Sequence, residues 1–509
     1  MTLPHKDDPS EYSSIVYNRT YYRTAEISTR QDRGTLHLLR HSSRIADHCD
    51  VGKVTIDMLP GEILLEVFAF RIGGVDDNYY EWETLAHVCR RWRSIVFAAP
   101  RRLNLQLLCT ARTPTRKMLD IWPALPIAVY LPGKNDEIND NVLTALWKND
   151  RVCKVNVNNV SDDDLEELVR VMQVAFPALT DLDLHSYEDA FLPGSFLDGS
   201  APNLRSLRLV HVAFPALPKL LLSCPGLVSL SLLGISDSGY ISSDAMVDCL
   251  SSLTRLETLE IDFLYSQPRP NQASRRPTPP TPTVFPVLSK LQLEGVTEYL
   301  EQILAHIEAP ILDSVDIRFF DPLVFDVSRI APCIGRTGTF ETFDQAYMHF
   351  DRHHYIDVVL SSRNGTTGGK LLNLSLQWED SGWELLKLIR GDFGPRFEPF
   401  CLCDVDRRSH LPSWAEGMGN GPWLHLLRLF AATECMYLTK RLAVRVAPTL
   451  QELTGAGVKG VLPVLQNIFV ECLDSLGPVQ EALGQFVAQR QLLSGHTVDV
   501  QCWVKGERT

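Results

Sequence analysis

Between residues 177 and 317, apolar side chains recur at one spacing with polar residues between them. Pro177-Ala-Leu179-x-x-Leu182-x-Leu184 is followed by Pro202-Asn-Leu204-x-x-Leu207-x-Leu209 and Pro225-Gly-Leu227-x-x-Leu230-x-Leu232. Leu256-x-x-Leu259-x-Ile261 lacks the proline; Pro286-Val-Leu288-x-x-Leu291-x-Leu293 and Pro310-Ile-Leu312-x-x-Val315-x-Ile317 restore it. In L-x-L both apolar residues lie on one face of a short strand, because side-chain direction alternates with period two. Segments such as Ala216–Leu222 and Ser243–Leu250 then return the chain as helices. Each unit keeps an apolar face it cannot bury alone. Stacking parallel units supplies the partner, and burial of each Leu contributes about 1.5–3 kcal/mol.

The first apolar positions, 179, 204, 227, 256, 288 and 312, step by 25, 23, 29, 32 and 24 residues. The 32-residue step contains an insertion; the others fit the roughly 20–29-residue period of leucine-rich repeats. Weaker forms extend the pattern. Helices are expected over Asn141–Asp150 and Asp162–Met172, the latter opened by Ser161 as N-cap with acids in its first turn. Strands are expected at Val152–Val157, Tyr355–Leu360, Leu372–Gln377, Cys435–Leu438, around Pro463-x-Leu465-x-x-Ile468, and at Thr497–Val504. The run from Val479 reads as a helix closing the stack. Spacing between 318 and 450 is irregular.

Residues 56–100 carry a second pattern. Leu59, Ile63, Leu64, Val67 and Phe68 recur at helical spacing, then Trp82, Leu85, Val88, Cys89 and Trp92, with a loop at Gly73–Tyr80 between. Some 45 residues make too small a core to stand alone, so this unit packs on the rest of the chain or on a partner. The segment resembles the F-box: Leu59-Pro60-x-Glu62-Ile63-Leu64-x-x-Val67-Phe68, then Leu85-x-x-Val88-Cys89-Arg90-x-Trp92, and Pro100. An F-box followed by leucine-rich repeats is similar to F-box proteins of the leucine-rich-repeat class, with a layout like that of fungal F-box-domain proteins. The family implies a substrate receptor of an SCF (Skp–cullin–F-box) ubiquitin ligase, docked on the Skp adaptor and through it on cullin. By motif match, adaptor contact falls on Leu59, Pro60, Ile63, Leu64, Val67, Phe68, Val88, Cys89 and Trp92. The acidic link from Arg71 to Tyr80 is longer than the family's usual one. The alternative is a repeat scaffold that binds the adaptor without feeding a ligase.

The expected fold is therefore α/β: a polar leader over 1–53 without ordered structure, an all-α F-box over 54–102, and a right-handed leucine-rich-repeat-like βα solenoid over 103–509 with parallel strands on its concave face. Alternation sends the neighbours of the leucines to that face as target-binding candidates: Asp181, Asp183, Ser206, Arg208, Ser229, Ser231, Thr258, Glu260, Lys290, Gln292, Asp316 and Arg318.

Composition narrows this reading. A net charge of −13 disfavours nucleic acid. Residues 161–189 hold nine acids and one arginine, which favours a target with a basic segment. Twelve cysteines in 509 residues are too dilute for a disulfide scaffold. No apolar run suggests a membrane span or a signal peptide, so the expected location is cytoplasmic and/or nuclear. Residues 266–283 hold six of 31 prolines and read as an exposed loop.

Catalytic chemistry is not expected. Asn364-Gly-Thr-Thr-Gly-Gly-Lys370 lacks the first glycine of a phosphate loop, and Leu371 replaces the magnesium-holding Ser or Thr. Cys401-x-Cys403 has no second pair to complete a zinc site. Asp351, His353, His354 and Asp357 lack a convergent third ligand segment. No cofactor, metal or nucleophile is expected, and the chain reads as a binding subunit rather than an enzyme.

Overall fold

The computed structural model describes residues 56–72, 81–131, 138–264, 282–320, 345–350, 355–361, 371–377, 399–404, 420–429, 433–453, 460–471 and 477–503. The polar leader, the Gly73–Tyr80 link, most of the proline-rich segment, the Asn364–Lys370 turn and Asp351, His353 and His354 lie outside them. The chain divides into two compact units, Met1–Val67 and Phe68–Thr509.

In the first unit a 3-10 turn, Ile56–Met58, leads to Pro60, whose carbonyl accepts from the Ile63 and Leu64 amides. The helix Gly61–Ile72 begins there, with Glu62 in its first turn, where an acid suits the helix dipole.

In the second unit the helices Glu81–Val88 and Arg90–Ala98 meet at Cys89. Its extended backbone and Sγ, accepting from the Trp92 amide at 3.4 Å, cap the second helix. Trp82 is buried; its Nε1 donates to the Gln106 carbonyl at 2.9 Å, and Trp122 packs edge-on at 5.3 Å. Trp82 and Phe97 of these two helices thus pack on the following chain at Trp122. Sequence left chain or partner open; for Trp82 it is the chain.

The strands are β1 (Leu107–Cys109), β2 (Ile127–Leu131), β3 (Val152–Val160), β4 (Asp181–Phe191), β5 (Ser206–Ala213) and β6 (Ser229–Ile235). They continue with β7 (Thr258–Phe263), β8 (Thr283–Val284), β9 (Lys290–Val296), β10 (Ile307–Glu308), β11 (Ser314–Phe320) and β12 (Gln345–Phe350). The last are β13 (Tyr355–Ser361), β14 (Leu371–Gln377), β15 (Pro399–Asp404), β16 (Cys435–Leu438), β17 (Asn467–Glu471) and β18 (Asp499–Trp503). Among the described residues sixteen of them form one sheet, and β8 and β10 pair separately.

From β1 to β11 the large sheet is parallel and follows chain order. All eighteen repeat-template positions, Leu179 to Ile317, are at most 3% exposed. Leu182, Leu207, Leu230, Leu259, Leu291 and Val315 stand side by side in register. The template proline has a local cause. Each template's first apolar amide donates to the carbonyl three residues back, as in Leu179 to Phe176, Leu204 to Ala201 and Leu227 to Cys224. That places the proline second in a β-turn, where its fixed φ fits. Leu465 donates to Leu462 in the same way, so Pro463 opens another such turn.

Beyond β11 the expected all-parallel order fails. β11 pairs β14 in parallel, but β14–β13 and β13–β12 are antiparallel. Only residues 351–354 separate β12 from β13, and a parallel return needs a crossover of about a dozen residues. The sheet then resumes in parallel through β15 to β18. Among the described residues no helix is long and apolar enough to cross a membrane.

Candidate functional site: the polar face of the sheet

The face away from the buried leucines carries one polar residue per strand in a lateral row. Pairing runs Tyr130, Asn156, Asp183, Arg208, Ser231, Glu260, Gln292, Asp316 and Asn373, from β2 to β14. A flanking row holds Lys154, Asp181, Ser206, Ser229, Thr258 and Lys290. The other flank holds Asp262, Glu294 and Arg318. All twelve sequence candidates therefore lie on one face.

They are less open than expected. Ser231 and Glu260 are buried, and the other ten are half-buried. Strands roughly 4.8 Å apart bring neighbouring side chains into contact, and here they interlock. Arg208 reaches Asp183 at 3.9 Å on one side and Glu260 at 3.7 Å on the other. Ser231 Oγ donates to Glu260 Oε2, and the Lys290 ammonium pairs with Oε1. Asn156 Nδ2 donates to Asp183 at 3.2 Å, Asn373 Nδ2 to Asp316 at 3.0 Å, and Arg318 pairs with Glu294 at 3.4 Å. A groove of about 320 Å³ follows this face, lined in part by Tyr130, Asn156, Asp183, Arg208 and Ser231.

Burial pushes the Glu260 carboxyl up, but hydrogen bonds from Lys290 and Ser231 and the charges of Lys290 and Arg208 outweigh it, leaving the group below its ordinary range. Asp262 and Glu294 go the other way: desolvation raises both, and Asp262 rises further beside Glu294, with Arg318 opposing. Both follow the same alternation, two positions beyond Glu260 and Gln292. Carrying the pattern one step further finds them.

At the β4–β5 end, the His185 and His211 rings stack at 6.2 Å. Burial first, then the charges of His211 and Arg208, push His185 down to about 4; burial also lowers His211 against the pull of Asp189. Above pH 6.5 neither the folded nor the unfolded chain protonates these rings. As pH falls through about 6.5, the unfolded chain takes up protons that the folded chain refuses. The melting temperature is therefore expected to fall between about pH 6.5 and 4, with a shallower fall in His185→Gln. Thermal melts across that range check it.

His211 has φ +53° and lies against Gly234, itself at φ +63°. A Cβ at Gly234 would meet the His211 ring at 2.6 Å. Gly234→Ala is expected to cost about 1–2 kcal/mol from the left-handed backbone alone, more if the ring must move. Urea unfolding measures the loss.

For the F-box-like segment, the structure separates buried from exposed positions. Leu64 and Phe68, expected at a docking surface, are buried, and the Phe68 ring packs at a tilt on Trp92, centroids 4.8 Å apart. Trp92 is half-buried against Phe68, and Cys89 serves as a cap. Leu59 is half-buried and Pro60 exposed. Ile63, Val67 and Val88 are 48%, 49% and 58% exposed. Phe70, absent from the sequence candidates, is 88% exposed on the same helix as Ile63 and Val67. Positions 63, 67 and 70 have the i, i+4, i+7 spacing of one helix face.

Burial pushes the Cys109, Cys153 and Cys249 thiols up to about 11, away from the thiolate form that attacks. No group of metal-ligating side chains converges among the described residues. Cys401 and Cys403 share one face of β15, and their side chains lie outside the described residues.

No protein-family model matches this chain, and no curated protein does. Among solved structures, the leucine-rich repeat-containing protein LegL7 from Legionella pneumophila aligns at a TM-score of 0.25 with 12% identity. The alignment covers 76% of this chain and 98% of that one. A likeness at that level leaves the fold to stand on its own strand register.

Proposed function

We propose that this chain is a target-binding subunit of an SCF-type ubiquitin ligase, docking on the Skp adaptor through its F-box-like helices and on its target through the polar sheet face. The observation that carries the reading is the exposed apolar row Ile63, Val67 and Phe70 on a helix whose sequence resembles the F-box. Exposed apolar surface of this kind gains free energy when a partner covers it. The adaptor would bring cullin, and the chain would hold a target's lysines near a ubiquitin-charged enzyme. The mechanism is proximity, without bond chemistry on this chain. From β3 to β13 the polar face carries Asp181, Asp183, Glu260, Asp316 and Asp357, besides the desolvated Asp262 and Glu294, against Lys154, Arg208, Lys290 and Arg318. That surplus favours a target with a basic segment, in a cytoplasmic or nuclear setting.

Ile63→Asp and Val67→Asp test the adaptor contact at exposed positions, where the fold tolerates a charge. Each is expected to weaken binding to purified Skp adaptor at least tenfold by interferometry, with unchanged circular dichroism. Trp147→Ser, at a 62% exposed tryptophan on another element, should leave it unchanged. A wild-type chain that does not bind the adaptor would refute the F-box reading.

A further inference from the structure

The polar face does not end at Asn373. Its central row continues in register through Val359, Tyr347, Cys401, Tyr437, Phe469 and Gln501. The charged stretch thus gives way to an aromatic one at β16–β18. Tyr437 and Phe469 stack at 4.6 Å with ring planes 13° apart. Trp503 stands at 89° to Tyr437, 5.8 Å away, and its Nε1 donates to the Leu438 carbonyl at 3.2 Å. That bond fixes the indole. The alternate residues Met436, Leu438, Ile468 and Val470 are buried, so these half-buried rings belong to the polar face rather than the core.

Charge decides what such a shelf would hold. The positions of β16–β18 on this face are Cys435, Tyr437, Asn467, Phe469, Glu471, Asp499, Gln501 and Trp503. They include two acids and no lysine or arginine. Glu471 stands in register with Trp503 on the neighbouring strand, and its Oε2 accepts the Lys440 amide at 3.1 Å, which fixes the carboxylate. Two ring planes at right angles with a fixed carboxylate suit a cation, which is attracted to ring faces and to the acid together. A phosphate-bearing ligand would meet repulsion here.

We propose that β16–β18 form an aromatic–acidic subsite that takes an arginine side chain from an extended basic segment of the bound target. The proposal rests on the reading of the polar face as the target-binding surface, and adds where on that face and by what chemistry a basic side chain is held.

The test uses the full chain and a fluorescein-labelled (Gly-Arg)4 peptide, with fluorescence anisotropy as readout. A second peptide carries citrulline at every arginine, which keeps the shape and removes the charge. The arginine peptide is expected to bind at least tenfold tighter. Tyr437→Leu and Trp503→Leu should each weaken it about fivefold, the scale of one cation–π contact, and Glu471→Gln about threefold or more. Gln501→Glu, at an exposed position beside Phe469, should tighten it and tests the shelf without removing a packed ring. Equal affinity for the two peptides, or no effect from any of the four variants, overturns the proposal. Asp183→Asn separates the two readings: loss of binding there alone removes the shelf and leaves the polar face as the target surface.

Discussion

Leu230→Ala is expected to destabilise the protein by about 2–5 kcal/mol, the cost of a large-to-small change at a packed site. Leu230 is fully buried on β6, with Leu207 and Leu259 in register on either side. Truncation leaves a void that two rigid neighbours cannot fill, and the spread in cost reflects how far they collapse. Stability in a stack of units is close to a sum of unit and nearest-neighbour terms. The damage should therefore be local, with hydrogen-exchange protection lost first around β5–β7. A matched change at Val444, which is exposed on the helix Lys440–Gln451, should stay within about 0.5 kcal/mol. Equal losses at both positions would contradict the buried leucine register.

Glu260→Ala is the second large effect, expected at about 2–3 kcal/mol near neutral pH. It leaves the Ser231 hydroxyl without its acceptor and takes the shared acid away from Lys290 and Arg208. Lys290 and Arg208 are partly exposed and can rehydrate, which keeps the cost below that of a fully buried pair. The pH dependence has a definite sign. The folded Glu260 carboxyl lies below its ordinary range, so its stabilisation is present above the unfolded value and lost as pH falls through the folded one. The gap between wild type and variant should therefore narrow on acidification below about pH 4.5. Glu260→Gln, which keeps an acceptor for Ser231, should recover part of the loss. Chemical denaturation at two pH values measures all three.

Much of the second unit was legible because one physical constraint repeats. The L-x-L spacing predicts strands, register and the polar row, since each unit faces the same neighbour geometry. The bounds Cys435–Leu438 agree with the structure, and Tyr355–Leu360 and Leu372–Gln377 lie within a residue of it at each end. What failed had no repeated signal. β1 and β2, with the sequences LLC and IAVYL, were not anticipated: they are apolar runs without alternation, and such runs do not separate strand from helix. The helix Lys440–Gln451 contains Pro448, which argues against a helix in sequence. The reversal at β12–β14 depends on link lengths rather than on any motif. The aromatic shelf escaped because Tyr437, Phe469 and Trp503 are far apart in sequence and meet only through strand pairing. At the F-box-like segment the motif did not sort its residues by exposure. Leu64 and Phe68 face inward while Ile63, Val67 and Phe70 do not, and helical spacing alone does not say which side a partner takes.

The proposed assembly, this chain joined to a ubiquitin ligase through its adaptor, is tested most directly by one measurement. The full chain, purified Skp adaptor and cullin are mixed and run on gel filtration with light scattering. One peak with the summed mass of the three is expected, lost with Ile63→Asp and Val67→Asp combined. Adaptor bound without cullin would leave a scaffold, and elution of the chain alone would contradict the account outright.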